Sequence, residues 1–132
     1  MIVVADTSPI QNLQRIGRLN LLHELYCEIV IPQAVFVELS VPGEVDFINI
    51  DWLKVCRATS RQLVDELTGQ VDAGEAEAVA LASELYADLL LIDEKRGRAL
   101  AIARGSSITG LAGVLVDAKH GGAIGLREAS GG

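Results

Sequence analysis

Two carboxylic acids directly follow apolar runs of the kind that form buried parallel strands. Asp6 comes after residues 1–5, and Asp93 comes after residues 87–92, a run that only Asp88 interrupts. The carboxyl ends of parallel strands lie at one edge of a sheet, so both side chains are expected to emerge there. Carboxylates held close together repel one another, which points to bound cations. Acids also serve as helix N-caps, and Asp93 precedes a predicted helix, so a capping role stays open.

Two glutamates are further candidates, and each has an ordinary structural explanation. Glu75 lies three positions after Asp72 at the start of a predicted helix, a spacing typical of a capping box in which Asp72 is the N-cap. Glu38 lies near the end of a short predicted helix, where a solvated glutamate is the usual case. Position alone therefore does not assign a catalytic role to either residue.

Other catalytic and cofactor motifs do not occur in the sequence. The glycines form neither G-x-G-x-x-G nor a P-loop, which argues against a kinase or a dehydrogenase. His23 and His120 are isolated, without a serine or cysteine in a nucleophile elbow, and receive no role. Cys27 and Cys56 lie far apart, which indicates neither a zinc site nor a disulfide framework but a reducing compartment.

The composition indicates one α/β domain. The chain has 132 residues, of which 50% are hydrophobic and only 4% aromatic, as suits aliphatic parallel strands covered by helices. The N-terminus lacks a basic flank, and no stretch approaches the ~18 apolar residues of a membrane span. We therefore expect a cytoplasmic protein.

The net charge of −7 limits the ways in which the chain can bind nucleic acid. Proteins that coat polynucleotides non-specifically depend on many contacts between Lys or Arg and phosphates. Any polynucleotide binding here must be local, assisted by a metal, or supplied by a partner.

Predicted strands and helices alternate along most of the chain, which favours a parallel sheet with right-handed crossovers. Ser8 and Pro9 are expected to begin the first helix, and Gly17 to separate it from a second one. An irregular connection is expected at 43–51. The remaining predicted strands are 27–31, 52–58 and 106–109, and the remaining helices are 32–39, 60–67, 72–85, 94–104 and 111–119.

Four segments taken together resemble PIN domains: MIVVADTSP with Asp6, IPQAVFVEL with Glu38, DAGEAEAVAL with Glu75 and LLLIDEKR with Asp93. The similarity is greatest to the predicted nucleic-acid-binding PIN subgroup and extends from Ile2 to about Lys119. It implies a three-layer α/β/α fold with a central, mainly parallel sheet. Residues 1–120 then form the PIN-like domain, and residues 121–132 form a glycine-rich, frayed tail.

The resemblance also implies a catalytic and metal-binding set. PIN domains carry acids after the first strand, on a following helix, at the start of a later helix and after the next strand. These places match Asp6, Glu38, Glu75 and Asp93. Asp72 and Glu77 are alternatives for the third place, and Glu77 is kept as the reserve. Ligands that are all oxygen select Mg²⁺ or Mn²⁺ over zinc. The implied activity is hydrolysis of phosphodiester bonds, usually in RNA.

Polar neighbours of the acids are expected to support the site. Thr7 and Ser8 can orient Asp6 or a water molecule by hydrogen bonds, although Ser8 can equally cap a helix. Three cations crowd the turn after the last acid and can hold substrate phosphates, with a solvated helix surface as the equal alternative: Lys95, Arg96 and Arg98.

Partners follow from the same resemblance, since many PIN proteins of this size are toxins of toxin–antitoxin pairs. We expect a small antitoxin near the acidic cleft and a homodimer through the early helices. Their apolar stripes exceed what one short sheet face needs, which often marks an interface. The stripes are Leu13 with Ile16, and Leu19 with Leu22 and Leu25.

Two departures from the family pattern keep an alternative open. Many PIN domains have a threonine or serine where this chain has Leu91, and relatives continue beyond the last helix. A non-catalytic PIN-like module that binds nucleic acid or protein is therefore the alternative function. A receiver-like signalling domain would need an acidic pair after the first strand, where only Asp6 is present.

Overall fold

A computed structural model describes residues 1–40 and 49–121, and these residues form five strands and seven helices. All strands are parallel, in the order β3-β2-β1-β4-β5. The parallel sheet predicted from the alternating pattern is confirmed. Its strands are β1 (Val3–Ala5), β2 (Ile29–Pro32), β3 (Leu53–Cys56), β4 (Leu89–Leu91) and β5 (Ile108–Thr109).

The helices cover both faces of the sheet, which confirms the three-layer α/β architecture. One apolar cluster joins α1, α2, α3 and α7 to the first face, and a second joins α4, α5 and α6 to the opposite face. The helices are α1 (Thr7–Arg15), α2 (Asn20–Tyr26), α3 (Gln33–Leu39), α4 (Arg61–Thr68), α5 (Ala73–Glu84), α6 (Lys95–Ala103) and α7 (Leu111–Gly121).

The central strands are apolar on both faces because each face is covered. In β1, Val3 and Ala5 belong to the first cluster and Val4 to the second. In β4, Leu91 faces the first cluster and Leu90 the second. Alternation along each strand therefore supplies both cores, as expected for a parallel sheet between two helical layers.

Helix α5 is buried on nearly every side. Every residue from Gly74 to Ala82 is buried, whereas the sequence pattern placed only Ala78, Ala82 and Leu85 on one buried face. Small side chains let α5 approach the sheet, α3 and α4 together, and its apolar character has no strong helical period. Its two internal glutamates, Glu75 and Glu77, are therefore taken out of solvent.

The first helix begins earlier than predicted. It starts at Thr7 with Asp6 in the N-cap position, so Ser8 is not the cap and Pro9 is not the first helical residue. Pro9 still lies in the first turn, where a backbone N–H has no partner within the helix. The predicted break at Gly17, which has φ +70°, is confirmed.

The apolar stripes of α1 and α2 belong mostly to the chain's own core. Leu13 and Leu22 are fully buried, and Leu19 and Leu25 pack partly buried against the first cluster, leaving Ile16 as the exposed member. The stripes therefore no longer support an interface, and the homodimer stays a prediction.

Two predicted irregular segments fall wholly or largely outside the described residues. They are residues 43–48 of the expected connection and residues 122–132 of the expected tail.

Candidate acidic site

Asp6 and Asp93 lie at the same edge of the sheet, as predicted. Strands β1 and β4 are neighbours with Ala5 opposite Leu91, and the Asp6 N–H donates to the Leu91 carbonyl at 2.9 Å. The acids that follow the two strands are therefore brought to the carboxyl ends of the central pair.

Asp6 is a buried acid with an unsatisfied oxygen. Its side chain is 2% exposed, and Oδ1 has no hydrogen-bond partner. Burial raises the pKa of Asp6 to about 7, and the negative charges of Asp72, Glu38 and Glu94 act in the same direction, against a hydrogen bond from the Thr7 N–H. Asp6 therefore titrates near neutral pH.

Glu75 behaves in the same way from the first turn of α5. It is 7% exposed, and its Oε2 has no partner. Burial raises the pKa of Glu75 to about 8, with further increases from a hydrogen bond and charge at Asp72 and from the charges of Asp6 and Glu94. Two neighbouring acids thus share one electrostatic environment that disfavours their ionisation.

The capping interpretation explains Asp72 but accounts for only part of the Glu75 carboxyl. The Asp72 carboxylate accepts the Glu75 N–H at 2.8 Å and is the N-cap of α5. The Glu75 carboxyl also forms a hydrogen bond with the Asp72 side chain, but its Oε2 lies against α6, since a Cβ on Gly97 would be 2.6 Å from it. The side chain therefore reaches toward α6 and leaves an oxygen unpaired.

Glu38 is held at the rim of this centre. It is exposed, but the Thr7 hydroxyl donates to its Oε2 at 2.7 Å. A Cβ on Gly74 would lie 2.5 Å from its Oε1, so the carboxylate rests directly on the start of α5. Thr7 thus orients Glu38. Ser8 is half-buried, and no hydrogen bond among the described residues joins it to the acids.

Asp93 has two different oxygens. Its Oδ1 accepts the Leu111 N–H at 2.8 Å at the start of α7, while its Oδ2 is buried without a partner. It caps α7 and not the helix that directly follows it, α6, whose N-cap position Glu94 occupies. One oxygen of Asp93 therefore has a structural role, and the other is left unsatisfied.

Sequence reasoning missed Glu94 and set Asp72 aside in favour of Glu75 as the third acid. The charges of both residues raise the pKa values of Asp6 and Glu75, which locates them in the same acidic centre. The only feature of the sequence that points to Glu94 is its place directly after Asp93. Two consecutive acids at the end of a strand can direct their side chains to different sides of the backbone.

Glu77, the reserve candidate, is a structural residue. Its carboxylate accepts the Ala34 N–H at 2.8 Å, the Ala58 N–H at 3.1 Å and Arg61 Nη1 at 2.6 Å. Burial alone would raise the pKa of Glu77, but these hydrogen bonds outweigh it and leave the pKa below its ordinary value. Glu77 therefore ties α5 to α3 and to the start of α4.

Asp72, Glu75 and Glu94 line a cleft of about 570 Å³ together with cations, whereas Asp6, Glu38 and Asp93 do not line it. Lys95 and Arg96 line it, whereas Arg98 Nη1 donates to the Ile92 carbonyl at 3.3 Å and does not line it. The three predicted phosphate contacts are therefore divided between two environments. The lining residues are Thr68, Gly69, Gln70, Val71, Asp72, Glu75, Glu94, Lys95 and Arg96.

The donor set fits a hard divalent cation in its chemistry. Asp6 Oδ1, Glu75 Oε2 and Asp93 Oδ2 are buried carboxyl oxygens without partners, and such groups are costly unless a cation or proton compensates them. Within the described residues, however, no three His, Cys, Asp or Glu side chains already form a group able to hold a metal ion. The side chains must move together to share one ion.

In the described residues no helix is both long and apolar enough to cross a membrane. A family model described as PIN domain matches residues 2–130, almost the whole chain. No curated protein matches the sequence.

Proposed function

The chain belongs to the PIN domain family, whose members are generally nucleases, and on that premise we propose that it is a metal-dependent ribonuclease. Its proposed ligands for Mg²⁺ or Mn²⁺ are Asp6, Glu38, Glu75 and Asp93. One observation carries the proposal: three of these four acids have a buried carboxyl oxygen without a hydrogen-bond partner.

A purely structural explanation accounts poorly for these oxygens. The buried structural acid Glu77, by contrast, is paired with three donors. Asp6 and Glu75 instead have raised pKa values and mutual repulsion, which a divalent cation would relieve. We add Glu94 to the proposed ligands, because its charge acts on both acids.

Residues of the chain would have different roles around such an ion. A bound ion supplies Lewis acidity, which neutralises phosphate charge and makes water easier to deprotonate. Thr7 holds Glu38 in place, and Lys95 and Arg96 are positioned to bind phosphate oxygens at the cleft.

Cleavage of labelled single-stranded RNA in Mn²⁺ or Mg²⁺ tests this function. Asp6→Asn and Glu75→Gln keep side-chain shape but lose a charged ligand, so each should lower the rate at least about 100-fold. Asp65→Asn, on the exposed side of α4, is the matched control and should cleave like the wild type. Equal cleavage by all four proteins, purified free of host nuclease, would exclude this catalytic site.

Partners and location extend the proposal. A toxin role would place a small antitoxin at the cleft, where an arginine could pair with Asp72, Glu75 or Glu94 and silence the enzyme. A homodimer is also part of this proposal, although the apolar stripes of α1 and α2 do not support it. Cys27 and Cys56 are free and exposed, which suits the reducing cytoplasm.

The geometry also favours a second candidate, a PIN-like module that binds nucleic acid or protein without cutting. The acids of the described residues are not gathered into a ready metal group, and Leu91 is fully buried in the first core cluster. Mn²⁺ binding without RNA cleavage would favour this candidate over the ribonuclease.

A further inference from the structure

A second cavity adjoins the acidic cleft. It measures about 420 Å³ and is lined by Gln70, Arg96, Ala99 and Leu100. Gln70 and Arg96 also line the acidic cleft, so the two cavities share a wall. A ligand that enters the acidic cleft can therefore extend into the second cavity.

The second cavity combines an apolar surface with a polar rim. Leu100 is half-buried and packs against the second core cluster, and Ala99 lies beside it on α6. Gln70 offers an amide with donors and an acceptor, and Arg96 offers a planar guanidinium. A flat heterocycle with hydrogen-bonding edges matches the apolar surface, the amide and the guanidinium.

We propose that this cavity is a subsite for one nucleobase of the RNA, next to the phosphate held at the acidic centre. The base lies against Ala99 and Leu100, Arg96 stacks on it or pairs with the adjoining phosphate, and Gln70 bonds its edge. The subsite rests on the proposed function, because only a polynucleotide at the acidic centre would bring a base here.

Charge favours a base over a second phosphate as the occupant. The cavity has one cation, Arg96, and an apolar surface gives a phosphate no compensation for lost hydration. A chain of net charge −7 also gains little affinity from phosphates in general. A stacked base supplies affinity that depends less on salt.

The availability of Arg96 supports this role. The ion pairs of the described residues are Lys54 with Glu28 and Arg61 with Glu77, so neither Arg96 nor Lys95 is held by an acid. Both side chains are exposed and can turn toward a ligand. Of the cations in the described part of the chain, only Arg96 lines both cavities, so it can connect phosphate and base recognition.

Binding of fluorescent RNA hexanucleotides with Ca²⁺ in place of Mg²⁺ or Mn²⁺, measured by anisotropy over a time in which the RNA stays intact, tests the subsite with a cation at the acidic centre. Ala99→Gln fills the cavity without adding charge and should weaken binding about 10-fold, as expected for the loss of one stacked base. Ala103→Gln is the matched control, since Ala103 is also exposed on α6 but does not line the cavity, and it should bind within about twofold of wild type.

An abasic site moved through the hexanucleotide identifies the occupant. At one position, loss of the base should weaken wild-type binding about 10-fold and abolish the further effect of Ala99→Gln. A penalty from Ala99→Gln that is unchanged at every abasic position would overturn the base subsite. Normal cleavage in the separate RNA assay would then show that the ribonuclease proposal survives, whereas wild type that neither binds nor cleaves RNA defeats both.

Discussion

Glu75 and Glu77 lie two residues apart on α5, and both are buried, yet their electrostatics are opposite. Glu77 is 1% exposed and has three donors, and its pKa lies below the ordinary value. Glu75 is 7% exposed and has an unpaired oxygen, and its pKa rises to about 8. A buried acid is therefore not by itself a sign of function. The informative difference is whether the fold supplies its partners.

The two glutamates should differ most in their effect on stability. Glu77→Gln leaves donors of Ala34, Ala58 and Arg61 without an anionic acceptor, so we expect the free energy of unfolding to fall by about 2–3 kcal/mol. Glu75→Gln at pH 7 replaces an acid that already retains its proton and should change stability by under about 0.5 kcal/mol.

Urea denaturation at pH 7 in EDTA measures both variants. Equal losses in Glu77→Gln and Glu75→Gln would contradict the division between a structural and a functional glutamate.

The pH dependence of stability should come from the acidic centre. From about pH 4 upward the unfolded chain loses these protons, while folded Asp6 and Glu75 keep them until about pH 7 and 8. The folded state thus binds more protons in this window, so the free energy of unfolding of the metal-free protein falls as pH rises from 5 to 8. The fall should be on the order of a few kcal/mol.

Asp6→Asn should remove its part of this slope, and Asp65→Asn should retain the full slope in the same urea series. Lowered pKa values at Glu77 and Glu84 act only at more acidic pH and do not enter the window. Stability that rises between pH 5 and 8 would contradict the raised pKa values.

Gly97 and Gly74 both lie against acids of the site, and their replacement by alanine gives a second, smaller comparison of effects on stability. A Cβ at Gly97 would meet Ile92 Cδ1 at 2.5 Å and Glu75 Oε2 at 2.6 Å, both buried, so Gly97→Ala should cost about 1–3 kcal/mol. The three heavy atoms nearest to a Cβ at Gly74 all belong to the exposed Glu38 carboxylate, which can move, so Gly74→Ala should keep stability within about 1 kcal/mol.

Gly74→Ala should nevertheless lower RNA cleavage, because it displaces Glu38 from the Thr7 hydroxyl. Thermal denaturation and RNA cleavage, measured together, separate the two effects. Full activity in Gly74→Ala would remove Glu38 from the site.

The sequence predicted the secondary-structure elements better than it predicted the roles of the acids. Apolar runs and breakers such as Gly17 and Pro32 act locally, and the predicted strands and helices were confirmed with small shifts at their ends. Asp6 and Asp93 were placed at one edge because strand order in a parallel sheet brings carboxyl ends together. The start of α1 was misplaced because Ser8 and Pro9 fit a cap locally.

Nothing local distinguishes Glu75 from Glu77. The donors that satisfy Glu77 come from Ala34 and Ala58, in parts of the chain that only the tertiary fold brings to α5. The capping function of Asp93 at Leu111 and the effect of the Glu94 charge on Glu75 likewise depend on how α6 and α7 pack. The spacing of residues in the sequence therefore does not predict these contacts.

The most direct test of the acidic centre is the stabilisation of the folded chain by Mn²⁺ at pH 8, compared between wild type and Asp6→Asn. A ligand at a hundredfold excess over its Kd adds about 2.7 kcal/mol to the free energy of unfolding when it binds only the folded state. We predict a gain of this order for the wild type, and a gain several-fold smaller for Asp6→Asn at the same Mn²⁺ concentration. An equal gain in both proteins, or none in the wild type at millimolar Mn²⁺, would contradict a metal site built around Asp6.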